Sequence, residues 1–141
     1  NLRREVINLT DSQLDIPYRE NGRTVRQVLH HCADSHINSI LRFKLALTEE
    51  KPTIKPYFED RFAELIDSKN FPIEASLQML EGTHKRWTAI LKSLSDEDLQ
   101  KTFIHPEHNR EFTLQTNIVI YAWHCNHHLA HITSLKKRMN W

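Results

Sequence analysis

Apolar positions recur at helical spacing through most of this chain. Leu2, Val6, Ile7 and Leu9 mark a helix over 1–9, and a connection runs from Thr10-Asp11-Ser12 through Pro17 to Gly22. Val25, Val28, Leu29, Cys32, Ile37, Ile40, Leu41 and Leu45 then keep a helical period until about Thr48. Thr24 precedes that run as an N-cap, and Gln27 three residues on completes a capping box. Pro52 and Pro56 mark a loop with Thr53-Ile54-Lys55 extended between them. Tyr57 to Ile66 reads as a short helix with Phe58, Phe62 and Leu65 on one face. Pro72 suits the first turn of a third long helix, which carries Leu77, Leu80, Trp87, Ile90, Leu91 and Leu94. Ser95-Asp96-Glu97-Asp98 caps another short turn, and Phe103 to Phe112 reads as an irregular or hairpin-like excursion. Thr113 opens the last helix, which runs to about Arg138. The pattern predicts an all-α fold, a four-helix bundle with one long cross-connection, in a single domain over 1–141. Asn1-Leu2-Arg3-Arg4-Glu5 reads as the second half of an amphipathic helix, so the N-terminal helix is expected to be incomplete.

Composition supports that picture and removes some functions. Two glycines and five prolines in 141 residues favour long helices over a turn-rich β fold. Nineteen basic against eighteen acidic residues leave a net charge of +1, which gives no electrostatic case for nucleic acid or an anionic membrane. No apolar run approaches the ~18 residues of a membrane span, and the start does not read as a signal peptide. Cys32 and Cys125 are expected to be half-buried, unpaired thiols in a reducing cytoplasm.

The chemistry lies in the histidines. Four of ten fall in Trp123-His124-Cys125-Asn126-His127-His128-Leu129-Ala130-His131. On a helix, at about 100° per residue, they form two i,i+4 pairs, His124 with His128 and His127 with His131. Two imidazoles one turn apart can hold one metal ion from the same side. A second cluster, His30-His31-Cys32-Ala33-Asp34-Ser35-His36, lies in the other histidine-rich helix, so a metal site between the two helices is expected. Spacing does not choose the contributor from this second cluster. His30 reads as packed among apolar positions, and His31 shares a polar stripe with Gln27, Asp34, Ser35 and Asn38. That stripe is either solvated or a shell of partners orienting the ring. His84, beside Lys85 and Arg86, reads as surface, and His105 and His108 as surface or part of a lid. Asp34, Glu59 and Asp60 are the nearest candidates for a general base, with nothing in the spacing to place them.

Several segments resemble the DinB/YfiT-like proteins. They are Thr24-Val25-Arg26-Gln27-Val28-Leu29-His30-His31-Cys32-Ala33-Asp34-Ser35-His36, Arg42 to Glu50, Pro56-Tyr57, His84-Lys85-Arg86-Trp87, His105-Pro106-Glu107, and Tyr121-Ala122-Trp123-His124 through His131-Ile132. The resemblance covers essentially the whole chain and is closest to the YfiT branch of metal-dependent hydrolases. It implies one divalent metal ion per chain, zinc or nickel, bound by His31, His124 and His128, with His131 in a supporting position. It also implies a homodimer. Arg23, Cys32 and Cys125 depart from the family pattern without removing an implied ligand.

Two chemistries follow from the resemblance. One is S-transfer from a low-molecular-weight thiol such as bacillithiol to a small electrophile, where the metal holds the sulfur as thiolate. The other is hydrolysis, where the metal activates water. Thiol transfer is the leading expectation, because no residue stands out in the sequence as a carboxylate base. A non-catalytic metal-binding bundle acting through a partner, and a metal-free bundle with a histidine network, are the alternatives.

Overall fold

Thr24 takes extended backbone angles, accepts a hydrogen bond from the Gln27 backbone, and receives the Gln27 side chain on its own N–H. That closed capping box starts a helix running Val25–Thr48. The computed structural model describes residues 2–141. In chain order its elements are α1 (Leu2–Val6), α2 (Asp11–Leu14), α3 (Val25–Thr48), α4 (Glu59–Phe62), α5 (Ile66–Asn70), α6 (Ile73–Ser93), α7 (Asp96–Gln100), β1 (Thr102–His105), β2 (Arg110–Thr113) and α8 (Leu114–Met139). Other predicted starts hold. Pro72 precedes α6, Ser95 and Asp98 form a capping box for α7, and Thr113 caps α8 by accepting from the Thr116 backbone. Asn140, in the left-handed region at φ 58°, closes α8 as asparagine commonly does.

The protein is a four-helix bundle in which α3, α6 and α8 are long and α1 is short. Arg3 of α1 ion-pairs with Glu74 and Glu81 of α6, and Glu5 receives Lys136 of α8. The cross-connection between α3 and α6 differs from expectation. Tyr57 to Ile66 holds α4 and the first residue of α5 rather than one helix, and Phe58 and Leu65 are exposed. The segment after α1, read as a connection, contains α2 with a capping box at Thr10 and Gln13. β1 and β2 form an antiparallel hairpin with Phe103 opposite Phe112, and Thr53 bridges to Ile104. The predicted excursion is this hairpin.

Two apolar clusters fill the interior. Val25, Val28, Leu29, Leu77, Ile132 and Leu135 belong to one, and Phe43, Trp87, Phe103, Leu114 and Tyr121 to the other. Between the clusters each long helix carries polar residues: Ser35, His36 and Ser39 on α3, His84 on α6, His124 and His128 on α8. The bundle therefore carries a layer of imidazoles between two hydrophobic blocks. Buried polar groups in such a layer must find partners or a ligand. Among the described residues no helix is long and apolar enough to cross a membrane.

Candidate metal centre

The rotation of α8 decides which histidines enter the layer. Asn117, Tyr121, Ile132 and Leu135 are buried, and His124 and His128 continue their spacing along the same stripe. His127 and His131 lie to its side, His127 stacked on Trp123 at 4.5 Å between centroids and His131 on Tyr18 at 4.0 Å. From α3, His31 points at the same place and is only 5% exposed. Of the polar stripe around it, Gln27 and Ser35 are buried, and Asp34 and Asn38 are half-buried. Its other members direct hydrogen bonds elsewhere: Gln27 donates to the Ala63 carbonyl, Ser35 to the Tyr121 hydroxyl, and Asn38 to the Asp34 carbonyl.

Three ring nitrogens converge. His124 Nε2 lies 3.3 Å from His31 Nε2 and 3.1 Å from His128 Nε2, and the donor atoms of all three residues fall within 4.8 Å of one another. Nitrogens at opposite ends of a tetrahedral edge around an ion with ~2.0–2.1 Å bonds are ~3.3 Å apart. The two spacings to His124 Nε2 match that edge, so the donor set fits a divalent cation that accepts imidazole nitrogen. Among the described residues His128 Nδ1 is buried without a hydrogen-bond partner, and the pairing this ring makes is at its Nε2.

Burial also keeps these rings neutral, the state that presents a lone pair. Desolvation, aided by the Arg23 charge, pushes His31 down to about 3. Desolvation, then His127 and Arg23, pushes His124 to about 4, and desolvation lowers His128 strongly. Burial likewise brings His36 to about 3. From about pH 6.5 downward an unfolded chain takes up protons that these folded rings refuse, so stability falls as pH falls. Asp34 works the other way, since burial beside Asp67 raises it to about 6. One carboxyl does not offset four imidazoles. The urea midpoint of metal-free protein is therefore expected to drop steadily between about pH 6.5 and about pH 5. A flat profile over that window would mean that the layer opens to water while the bundle stays folded.

Glu59, at the start of α4, is the residue that spacing could not place. Its Oε2 lies 3.8 Å from His31 Nε2, and its Oε1 lies 3.6 Å from the Arg23 guanidinium, which also holds Asp60 at 2.9 Å. Arg23 is thus an anchor of the site rim. A cavity of about 410 Å³ bounded by Tyr57, Glu59, His105, His108 and His124 opens on one side. Another of about 400 Å³ bounded by Arg19, Arg23, His31, Glu59 and His128 opens on the other. His105 and His108, their rings 4.6 Å apart and tilted by 39° on the hairpin, therefore border the approach.

The remaining histidines are placed differently from expectation only in part. His30 is a packed residue, hydrogen-bonded to Ser76 and the Phe71 carbonyl. His84, read as surface, is exposed, and its ring lies 2.7 Å from the buried His36, one of the second-cluster histidines among which spacing did not choose. Both cysteines are free, Cys32 buried and Cys125 partly so.

The sequence pattern of the DinB superfamily matches residues 1–132. A Bacillus cereus protein and a Bacillus anthracis protein, each named "Putative metal-dependent hydrolase", are both 59% identical over 140 residues, spanning 99% of this chain and 80% of the relative. The solved structure of YfiT from Bacillus subtilis, described as "a probable metal-dependent hydrolase with an unusual four-helix bundle topology", superposes with a TM-score of 0.98 at 51% identity. It covers 99% of this chain and 80% of its own.

Proposed function

The chain belongs to the DinB superfamily, and on that footing we propose that it is a divalent-metal-dependent hydrolase of a small electrophilic substrate. The observation that carries this reading is a carboxylate, Glu59, 3.8 Å from a ring nitrogen of the three-histidine cluster. His31, His124 and His128 would hold the ion, leaving room for non-protein ligands beside the two flanking cavities. When bound, a divalent ion supplies Lewis acidity, polarising the electrophile and making water a better acid near neutral pH. Glu59 is positioned to accept the proton of an attacking water and return it to the leaving group. Arg23 holds the α4 start in place through Glu59 and Asp60, which keeps that carboxylate at the cluster.

The expectation of thiol transfer rested on the lack of a carboxylate base. Glu59 supplies one, which moves the balance to hydrolysis; thiol transfer remains the reading that the same experiment detects. The purified protein is expected to carry about one divalent ion per chain by elemental mass spectrometry, and His31→Ala and His128→Ala to lose it. With p-nitrophenyl acetate as probe, hydrolysis should depend on metal and fall by roughly 10²–10⁴-fold in Glu59→Gln with metal content unchanged. Metal-dependent consumption of chlorodinitrobenzene that requires added thiol, with no ester hydrolysis, would replace this reading with thiol transfer. No metal after reconstitution would remove both.

A further inference from the structure

Behind the cluster runs a second line of imidazoles. His124 Nδ1 lies 3.3 Å from His36 Nε2, and His36 Nδ1 lies 2.7 Å from His84 Nε2. The line crosses the bundle from α8 through α3 to α6, ending at an exposed ring. His36 is 2% exposed, and its ring meets Trp87 and Tyr121 edge-on, at 85° and 81°, which holds its orientation. Cys125 Sγ also approaches His36 Nε2, at 3.7 Å.

We propose that His36 and His84 are positioning residues that fix the tautomer of His124, so that its Nε2 lone pair faces the metal. The inference rests on the metal-centre reading above. A neutral imidazole carries one proton, on one nitrogen. If His124 binds through Nε2, its proton sits on Nδ1 and is donated to His36 Nε2. His36 then carries its proton on Nδ1 and donates it to His84 Nε2, and His84 is left protonated on Nδ1. Each assignment forces the next. The opposite polarity places a proton on His124 Nε2, between His31 and His128, where it blocks ligation. Ligating histidines generally need a partner on the other nitrogen for ring orientation and basicity. His128 Nδ1 has none among the described residues, whereas His124 Nδ1 has His36.

The donor atoms of His36, His84 and Cys125 also lie within 4.8 Å of one another, as those of a second metal site would. The 2.7 Å separation of the two ring nitrogens argues for a hydrogen bond instead, being well short of the ~3.3 Å edge between co-ligands.

The test uses zinc alone. In zinc-loaded wild-type protein, long-range ¹H–¹⁵N spectra should show His124, His36 and His84 all protonated on Nδ1. Competition with a chelator should show zinc affinity falling about 10–100-fold in His36→Phe. His36→Gln, whose amide can accept from His124 and donate towards His84, should stay within a few-fold of wild type. Wild-type affinity in a folded His36→Phe, a His36 ring protonated on Nε2 in the zinc form, or a second zinc held by His84 and Cys125 would each overturn the proposal. The spectra need no variant, so a misfolded His36→Phe does not shield it. A wild-type chain that binds no zinc overturns the metal centre itself, an outcome distinct from the three others.

Discussion

His124→Ala is expected to abolish metal retention, while His127→Ala leaves it intact. The two residues are three apart on α8, yet their surroundings differ in kind. His124 Nε2 stands between His31 and His128 at 3.3 and 3.1 Å, and its Nδ1 faces His36. His127 is exposed and stacks on Trp123. Removing the central member of a three-nitrogen set leaves two donors with no preformed partner between them. The loss of affinity should exceed the roughly 10–100-fold that follows when only a supporting partner is deleted. Elemental analysis after gel filtration, with circular dichroism to confirm the fold, makes the comparison. Metal-free His127→Ala beside metal-loaded His124→Ala would mean that the other i,i+4 pair is the binding pair.

The two i,i+4 pairs were legible in the sequence, and the burial pattern of α8, not their spacing, separates them. Asn117, Tyr121, His124, His128, Ile132 and Leu135 follow one another at steps of three or four, so the pair that continues the buried stripe is the pair that enters the bundle. The caps at Thr24, Ser95 and Thr113 were equally legible, because a cap is settled within four residues of chain. His31 was not. Almost every residue of α3 from Val25 to Ala33 is buried, whichever face it lies on, so a polar stripe there carries no information about solvent. His36 lies about 140° around the helix from His31 at ~100° per residue and finds its second partner on α6, a pairing that only helix packing creates. Glu59 was hidden for a further reason. It sits in the connection between α3 and α6, where two short helices replace the one that periodicity predicted, and aperiodic chain offers no face to read.

Phe43→Ala should be the most destabilising substitution outside the site, costing about 3–5 kcal/mol of a stability that is itself on the order of 5–15 kcal/mol. The ring is fully buried and meets Trp87 edge-on at 5.2 Å. Trp87 in turn packs on Tyr121 at 5.5 Å and on His36 at 6.2 Å, and the Tyr121 hydroxyl donates to the Ser35 carbonyl at 3.2 Å. The void left by Phe43 therefore opens beneath the residues that hold the imidazole layer in register. Urea unfolding should show a lower midpoint with the slope unchanged. Because an ion bound only by the folded state stabilises it by RT ln(1 + [L]/Kd), zinc at about a thousandfold above Kd would return roughly 4 kcal/mol, close to the loss. Rescue of that size would show that the layer keeps its geometry above the cavity. A cost near 3–5 kcal/mol without rescue would show that Phe43 supports the metal centre as well as the fold, through Trp87 and His36. A loss under about 1 kcal/mol would mean that the second apolar cluster closes over the gap, and that the packing between Phe43 and the site transmits little.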